Sequence, residues 1–418
     1  AKAYEVYRKL PSRDTVSLTA LVAGYAKHGL FAEAHKIFNE LQVQGVISWN
    51  ALIAGYVEYG YNKEAIECFD KMQQENVPPN NVTFVCALKA CSSRGAIDRG
   101  QAIYAEISRK GWLEKDISIG NILIDMYAKG NFIAKAREVL EELPHPDLVS
   151  WNALMAGYAA HGYVAKAKEV FDMLKVRDVI TWNTLIVSYA EYGQAENALH
   201  YFDKMHLEGV LPDVVTFATS LKACSFIGDL NKGYEIHNQL IKTALLNDLS
   251  VCNALIDMYA KCDSLMKAQE VFNNLPSRNV VSWNTIIGGY AEHEYNEEAL
   301  EYFEKMQSEG VSGDAVTFIY CLKACSNMGA LDRALKFHVE IVRKGFLEKD
   351  VGNTLIDFYA KHGMFAEAQS VFEQLSTPDV VSWNALISGY AQQGEIMNVG
   401  NIFDKMVGHG IKPTLVTF

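Results

Sequence analysis

Val281-Ser282-Trp283-Asn284-Thr285-Ile286-Ile287 is one of several near copies of the same phrase in this chain. The copies share a Trp followed by an Asn, at Trp49-Asn50, Trp151-Asn152, Trp182-Asn183, Trp283-Asn284 and Trp383-Asn384. Five of the six tryptophans lie in this context, at intervals of 102, 31, 101 and 100 residues. Regular spacing built from units of about 33 residues predicts a stacked array of structural repeats rather than separate globular domains.

Aligning the chain on this phrase divides it into twelve units, most of them 31, 35 or 36 residues long. The expected units are 15–45, 46–80, 81–116, 117–147, 148–178, 179–213, 214–248, 249–279, 280–314, 315–350, 351–379 and 380–414. Residues 1–14 resemble the second half of a truncated unit, and residues 415–418 match the start of another. We therefore expect a segment of a longer protein, with any targeting sequence or catalytic domain outside it.

Apolar residues recur at helical spacing within each unit. In 280–314, Trp283, Ile286, Ile287 and Tyr290 form one apolar stripe, and a second stripe follows a polar break. Neither helix could bury its stripe alone, so neighbouring pairs must stack. The predicted fold is an all-α solenoid superhelix of short antiparallel helix pairs.

Composition and charge narrow the class of protein. Half of the 418 residues are apolar and the net charge is −12, yet no apolar run approaches the ~20 residues that span a bilayer. The acidic balance argues against a broad electrostatic grip on nucleic acid, but not against a groove of selective base contacts. Cys91, Cys224 and Cys325 share the phrase Leu-Lys-Ala-Cys, which is typical of small buried packing residues rather than disulfides.

The wording of the units resembles the pentatricopeptide repeat proteins, and more narrowly their plant PLS class, which alternates P, L and S repeats of these three lengths. Val-Val-Ser-Trp-Asn-Ala-Leu-Ile-Ser-Gly-Tyr-Ala at 380–391 and Asn-Ala-Leu-Ile-Asp-Met-Tyr-Ala-Lys-Cys at 253–262 carry the resemblance. It implies modular binding of single-stranded RNA, with about one base per repeat. Members of the class mostly direct cytidine-to-uridine editing in chloroplast or mitochondrial transcripts.

In this family the fifth and last residues of a repeat read one base, and the second residue stacks against that base. Carried over, the reading pairs are Thr19 with Gly45, Asn50 with Asn80, Asn121 with Asp147, Asn152 with Asp178, Asn183 with Asp213, Asn253 with Asn279, Asn284 with Asp314, Asn353 with Asp379 and Asn384 with Thr414. The apolar stacking residues are Ile47, Val149, Ile180, Val281 and Val381. Ser118 and Ser250 are polar at that position, and unit 351–379 lacks two residues at its start, so its stacking position is expected to be missing or displaced.

The side-chain chemistry predicts which base each pair prefers. A carboxylate accepts from the N3–H of uracil and repels the N3 lone pair of cytosine, whereas an amide can donate to that lone pair. This chemistry supports what the resemblance implies, namely that in the family Asn with Asp favours U and Asn with Asn favours C. The three L units pair Val85 with Asp116, Ala218 with Asp248 and Ile319 with Asp350, without a fifth-position amide. The predicted target, from its 5′ end, is about n-C-n-U-U-U-n-C-U-n-U-Y.

Each of these signs has a structural alternative. A single Asn ahead of an apolar helix is most often an N-cap, but eight Asn in one register favour a shared role. The tryptophans lie on the apolar stripe, so we expect them to pack between repeats rather than against bases. The recurring lysines are either phosphate contacts or solvated helix ends; they are Lys89, Lys129, Lys222, Lys261, Lys323 and Lys361.

No complete catalytic or metal-binding motif occurs in this sequence. His206-Leu207-Glu208 and His338-Val339-Glu340 match the first half of a deaminase zinc motif, but no Cys-x-x-Cys follows either. We expect no enzymatic activity, cofactor, membrane or DNA partner for this segment, and an editing deaminase or editing-factor protein attached outside it or recruited in trans. Two alternatives stay open, a structural subunit of an organellar complex such as a ribosome and a protein-binding helical scaffold.

Overall fold

The computed structural model describes residues 15–417, which form twenty-four α-helices in twelve pairs and no strand. The pairs are Thr15–Lys27 with Phe31–Asn39, Val46–Glu58 with Asn62–Gln74, Asn81–Arg94 with Ile97–Arg109, Ile117–Lys129 with Ile133–Glu142, Leu148–Ala160 with Val164–Met173, Val179–Glu191 with Ala195–Leu207, Val214–Ile227 with Leu230–Leu240, Leu249–Lys261 with Leu265–Asn273, Val280–Glu292 with Asn296–Ser308, Ala315–Met328 with Leu331–Lys344, Lys349–Lys361 with Phe365–Gln374, and Val380–Gln392 with Ile396–Gly408. The expected fold class, an all-α solenoid of helix pairs, is confirmed. We define a repeat as a helix pair together with the residues up to the next first helix.

The described residues form two compact bodies that divide between Leu211 and Pro212. Within each body, the first helices of consecutive repeats pack side by side. Val280–Glu292, for example, contacts both Leu249–Lys261 and Ala315–Met328. This packing brings equivalent residues of neighbouring first helices into the same register. Residues 1–14, expected to be half of a truncated unit, lie outside the described part of the chain, as does Phe418.

Close contact between first helices depends on a glycine facing an alanine. A Cβ built on Gly157 would lie 2.4 Å from the Cβ of Ala128, and one on Gly389 would lie 2.2 Å from that of Ala360. Real Cβ atoms do not approach so closely, so a larger residue would push the helices apart. The recurring Gly-Tyr in the repeat phrase therefore sets the spacing between repeats.

The tryptophans of the phrase are packing residues. Trp182 is fully buried with its ring centroid 4.7 Å from that of Phe171, and Trp283 lies 4.9 Å from Phe272. In each case the Phe belongs to the second helix of the preceding repeat. Edge-to-face packing of this kind joins neighbouring repeats, as the apolar stripe predicted.

The eleventh repeat departs from the expected division. Its first helix is Lys349–Lys361, so it begins two residues before the expected start at 351. Glu348 precedes it in an extended conformation (φ −99°, ψ 177°), and Asp350 in the first turn suits the helix N-terminus. The repeats are thus 315–348 and 349–379. The stacking position expected to be missing is occupied by Asp350, which is not the closing residue of the preceding repeat.

The remaining expectations concern cysteines and membranes. Cys91, Cys224 and Cys325 are buried thiols, as expected for packing residues. None of the helices between Thr15 and Thr417 is both long and apolar enough to cross a bilayer.

Candidate nucleic-acid interface

The last residue of most repeats is the N-cap of the next repeat's first helix. Oδ1 of Asp147, Asp178 and Asp314 accepts a backbone N–H from the third helical residue at 2.9, 2.9 and 3.0 Å. Asn80 and Asn279 do the same through the amide oxygen, at 3.1 and 2.9 Å. Capping satisfies an N–H that the helix leaves unpaired. It also decides which side-chain atom faces the helix.

The fifth residue of a repeat donates to the last residue of the same repeat. Hydrogen-bonded pairs of this kind include Asn50–Asn80 (2.9 Å), Asn284–Asp314 (2.9 Å), Asn152–Asp178 (3.2 Å), Asn121–Asp147 (3.3 Å) and Asn384–Thr414 (3.4 Å). In each case Nδ2 of the fifth-position Asn is the donor. Residues 26 or 30 positions apart are therefore held together.

A hydroxyl at the third position of the following repeat completes this network. Its donations to Oδ1 of the fifth-position Asn are Thr83 to Asn50 (2.6 Å), Ser150 to Asn121 (2.5 Å), Thr181 to Asn152 (2.9 Å), Thr317 to Asn284 (2.6 Å), Ser382 to Asn353 (2.6 Å) and Thr417 to Asn384 (2.7 Å). Sequence reasoning missed these residues. The available signal was a Ser or Thr before the Trp of the repeated phrase, as at Ser150, Thr181 and Ser382, or before the Phe of Val-Thr-Phe, as at Thr83, Thr317 and Thr417.

In several repeats, one side-chain atom of the last residue, here called the closing residue, takes no part in these hydrogen bonds. The hydrogen bonds to Asp147, Asp178 and Asp314 described above all end on Oδ1, so Oδ2 is the second acceptor. Asn80 and Asn279 also use Oδ1, so their second atom is the donor Nδ2. Because the cap uses Oδ1 in both cases, the remaining side-chain atom is an acceptor when the last residue is Asp and a donor when it is Asn.

The closing carboxylates are held ionised. Partial burial alone would raise the pKa of Asp314, but hydrogen bonds from the Thr317 N–H, the Asn284 amide and the Thr317 hydroxyl outweigh it and lower that pKa. Asp147 and Asp178 have lowered pKa values by the same balance. A carboxylate at these positions is an acceptor only, with no proton to donate near neutral pH.

Two fifth-position residues depart from this arrangement. Asn253 makes no hydrogen bond to Asn279, and its Oδ1 is buried without a partner among the described residues. The Ser282 hydroxyl donates instead to Asn279 Oδ1, at 3.0 Å. Asn353 accepts from Ser382, but no bond joins it to Asp379 within residues 15–417.

Asp379 is engaged on both oxygens. Its Oδ1 caps the helix Val380–Gln392, and its Oδ2 lies 2.6 Å from Lys349 Nζ. Burial opposes ionisation here too, yet the hydrogen bonds from Lys349 and Ser382 lower the pKa of Asp379 to about 2. Sequence reasoning did not anticipate this contact, because Lys349 was placed in the preceding unit.

The other predicted reading residues lie where the repeat register puts them. The Thr19 hydroxyl donates to the Thr15 carbonyl at 2.7 Å, and Gly45 offers no side chain. Asn183 lies at the fifth position of Val179–Glu191, and Asp213 caps Val214–Ile227. In repeats 81–116, 214–248 and 315–348 the fifth residues are apolar and half-buried; they are Val85, Ala218 and Ile319.

The second residues form a row of exposed aliphatic side chains. The predicted stacking residues are each between 51% and 71% exposed: Ile47, Val149, Ile180, Val281 and Val381. Val82, Val215 and Val316, at the same position in repeats 81–116, 214–248 and 315–348, are also exposed, at 44–48%. Aliphatic surface that recurs in most repeats beside the hydrogen-bonding pairs is suited to packing against flat, apolar ring faces.

One cavity shows how these parts meet. A cleft of about 300 Å³ is lined by Val281, Val316, Asn284 and Asp314, together with Tyr320. Two consecutive second residues thus form its walls, and the fifth and last residues of one repeat face into it. Tyr320 was not anticipated from sequence. A second cavity of about 710 Å³ has the same character, with Asn353, Val381, Asn384, Thr414 and Lys323 among its lining residues.

The recurring lysines divide into two groups. Lys129, Lys261 and Lys361 are ion-paired to the aspartate one helical turn earlier, with N···O distances of 2.7, 2.8 and 2.7 Å. Lys89, Lys222 and Lys323 are exposed and make no ion pair among residues 15–417. Lys222 and Lys323 also line cavities, as do Lys261 and Lys361. The second group is therefore better placed to meet a phosphate, although surface ion pairs of the first kind are weak.

The described residues include no cluster of metal ligands. Within residues 15–417 no group of three or more His, Cys, Asp or Glu side chains could hold a metal ion. Of the two partial zinc motifs, His338 instead hydrogen-bonds the Tyr359 hydroxyl at 2.7 Å.

Family models match most of the repeats. A model described as the PPR repeat family matches residues 44–93, 177–225, 278–327 and 378–418. A second, described as the PPR repeat, matches residues 16–46, 121–145, 149–179, 250–280 and 353–377. Together they match more than half of the chain.

Similar proteins carry the same repeat in their names. A chloroplastic pentatricopeptide repeat-containing protein of Arabidopsis thaliana is 44% identical over 81% of this chain and 46% of its own length. Another chloroplastic one is 32% identical over 100% of this chain and 44% of its own length, and a mitochondrial one is 33% identical over 100% and 52%. The chain spans about half the length, or less, of the curated relatives it matches.

A solved structure shares the fold. The crystal structure of the pentatricopeptide repeat protein PPR10 from maize overlaps 97% of this chain and 75% of its own, with 19% sequence identity and a TM-score of 0.52. At that identity the likeness concerns the fold alone.

Proposed function

This chain belongs to the pentatricopeptide repeat family, and on that premise we propose that its repeats bind single-stranded RNA in a sequence-specific way. The ratio of one base per repeat is the family's, not a result from this chain. One observation of our own supports the proposal most directly. In several repeats, the hydrogen-bond network fixes the closing side chain and leaves a single acceptor or donor beside an exposed aliphatic residue.

The proposed recognition follows from that atom. Oδ2 of Asp314 accepts from the N3–H of uracil, and Nδ2 of Asn80 donates to N3 of cytosine. Asn284 and Asn50 hold these side chains in place, so little ordering is needed when a base enters. Val281 and Val316 on either side of the cleft pack on the two faces of the ring.

The proposed target follows the repeats in order from the RNA 5′ end. It is n-C-n-U-U-U-n-C-U-n-U-Y, in which the L repeats and the repeat with Gly45 carry no preference. The alternation of repeat lengths supports the PLS class. On this proposal the chain specifies a site for cytidine-to-uridine editing in a chloroplast or mitochondrion, with the deaminase supplied elsewhere.

The charge of the chain sets how the affinity depends on salt. With a net charge of −12 and few exposed lysines in the clefts, phosphate neutralisation contributes little. The slope of log affinity against log salt is about −0.7 per phosphate contacted on single strands. We expect contacts to only a few phosphates and hence a shallow slope.

A fluorescence binding titration tests the proposal. The full chain is titrated against the twelve-nucleotide target, with A at the positions marked n and U at Y, and against a scrambled RNA of the same composition. We expect at least about tenfold tighter binding to the target, because several base-specific hydrogen bonds are lost in the scramble.

Matched variants locate the site in the same assay. Asn284→Ala removes a reading residue and is expected to weaken binding about fivefold, since one hydrogen-bonding position is lost. Gln307→Ala, on the second helix Asn296–Ser308, is the control and leaves affinity unchanged. Equal affinity for the target RNA and the scrambled RNA would overturn the proposal of sequence-specific binding. Absence of RNA binding leaves the protein scaffold or the structural subunit as the better account.

A further inference from the structure

Lys349 occupies a position that is apolar in most repeats. It is the first residue of its repeat. Nine other repeats have an apolar residue at this position: Val46, Ile117, Leu148, Val179, Val214, Leu249, Val280, Ala315 and Val380. Its ammonium lies 2.6 Å from Oδ2 of Asp379, the last residue of the same repeat. That oxygen is the one left outside the network in Asp147, Asp178 and Asp314.

A second repeat shows the same contact with different chemistry. Asn81 is the first residue of repeat 81–116, and its Nδ2 donates to Oδ2 of Asp116 at 2.9 Å. Oδ1 of Asp116 meanwhile caps the helix Ile117–Lys129 by accepting from the Ser118 N–H at 3.0 Å. A polar first residue thus reaches the outer oxygen of the closing carboxylate in two separate places. The remaining polar first residue, Thr15, belongs to the repeat that ends in Gly45.

We propose that the first residue of a repeat is a third specificity-determining position, and that Lys349 weakens the preference of repeat 349–379 for uracil by occupying Oδ2 of Asp379. This inference rests on the proposed function, because it modifies how one closing carboxylate reads a base.

The chemistry of the two pyrimidines explains the direction. Uracil N3–H must displace Lys349 from Oδ2 or share the oxygen with it, which reduces the gain from that hydrogen bond. Cytosine is no longer repelled to the same extent, because the ammonium screens the carboxylate and can itself donate to the N3 lone pair. Asn353, the fifth residue, remains oriented by Ser382 and is available to either base.

The size of the effect follows from how exposed the ion pair is. The side chains of Lys349 and Asp379 are 53% and 26% exposed. Exposed pairs are weak, so we expect the ratio of uracil to cytosine affinity in repeat 349–379 to be about fivefold lower than in repeat 280–314. The sequence pairs Asn353–Asp379 and Asn284–Asp314 alone would predict equal ratios.

The test exchanges the first residues of these two repeats. Lys349→Val gives repeat 349–379 the class of residue found at Val280, and Val280→Lys places an ammonium near Asp314. Each protein is titrated against RNAs that differ only by U or C at the nucleotide of one repeat. Lys349→Val is expected to raise the U-to-C ratio at its nucleotide about fivefold, and Val280→Lys to lower it at the other.

The ratio is taken within one protein, so a general loss of phosphate affinity on removing Lys349 cancels. If wild-type protein does not prefer U at the nucleotide of repeat 280–314, the proposed reading function fails. If it does, but neither exchange alters the U-to-C ratio at its own repeat, the role of the first residue is refuted while reading stands. Circular dichroism confirms that both variants keep their helix content.

Discussion

Repeats 46–80 and 249–279 carry the same reading pair, Asn with Asn, but the structure treats them differently. In the first, Asn50 donates to Asn80 at 2.9 Å and accepts from Thr83 at 2.6 Å. In the second, the carbonyl oxygen of Asn253 is buried without a partner among residues 15–417. The same pair of residues therefore has a fully hydrogen-bonded fifth-position Asn in one repeat and not in the other.

The second helices of these two repeats also differ in length. Asn62–Gln74 in the longer repeat has thirteen residues, whereas Leu265–Asn273 in the shorter one has nine. Length alone does not open the network, because the short repeats 117–147 and 148–178 keep the Asn–Asp hydrogen bond, at 3.3 and 3.2 Å.

The largest expected effect is on base preference. Asn80→Asp replaces the outward donor Nδ2 with the acceptor Oδ2, so the preference at that nucleotide should change from C to U, with about a 100-fold change in the affinity ratio. Asn279→Asp should change it in the same direction by about tenfold, because Asn253 does not hold the closing side chain in place. Titrations with single-nucleotide RNA variants measure both ratios. Equal changes would mean that the hydrogen-bond network does not influence reading.

The next effect is on local stability. Thr83→Val removes the hydroxyl that satisfies the buried Asn50 carbonyl and should lower the free energy of local opening by about 2 kcal/mol. Ser282→Ala removes a hydroxyl that does not reach Asn253, so its loss should be nearer to 1 kcal/mol. Amide hydrogen exchange in helices Asn81–Arg94 and Val280–Glu292 gives the two values. A larger loss for Ser282→Ala would contradict the described networks.

A smaller effect concerns packing on the base. Ile47 is 71% exposed at the second position of repeat 46–80, whereas repeat 249–279 has Ser250 there. Ser250→Val should tighten RNA binding about threefold and Ile47→Ser should weaken it by a similar factor, since about 25 cal/mol is gained per Å² of apolar surface covered. Neither change should alter the ratio of C to U affinity. A shift in that ratio would show that the second residue reads the base rather than packs on it.

The smallest effect concerns the loss of folding stability at low pH. Repeats whose last residue is Asn lack this contribution, because an amide does not titrate. The pKa of Asp314 is lowered in the folded chain, so its cap contributes stability that is present above the ordinary aspartate pKa, near 4, and lost as pH falls through the lowered value. Asp314→Asn should reduce the loss of stability between pH 5 and 2 without changing it above pH 5. Urea unfolding at several pH values checks this. The U preference of wild-type protein should persist at pH 5, because the carboxylate is still ionised.

Much of the fold could be predicted because its signals are local. The spacing of Trp283, Ile286 and Tyr290 reports helix periodicity within a few residues, and the regular Trp-Asn phrase sets the register. First helices such as Val46–Glu58 and Val280–Glu292 begin at the residue where the sequence alignment begins a repeat. The exception, Lys349–Lys361, arose because a helix start without a Ser, Thr, Asp or Asn cap gives little signal in the sequence.

The candidate site was predicted at the level of residues but not of atoms. Position in the repeat identified Asn284 and Asp314, and the structure brings them to 2.9 Å. The hydroxyl of Thr317, the ring of Tyr320 and the ammonium of Lys349 were missed. Their contacts join residues about thirty positions apart, and such distances depend on how the repeats stack.

The sequence by itself determined the helix pairs, their register and the identity of the residue at each fifth and last position, since these follow from periodicity within a single repeat. Only the tertiary structure decided which oxygen of Asp314 is used as a cap, that the oxygen of Asn253 lacks a partner, and that Lys349 covers Asp379. These outcomes depend on distances between side-chain atoms of neighbouring helices, and small differences in those distances make or break a hydrogen bond. Hydrogen bonds are sensitive to such differences and hydrophobic periodicity is not.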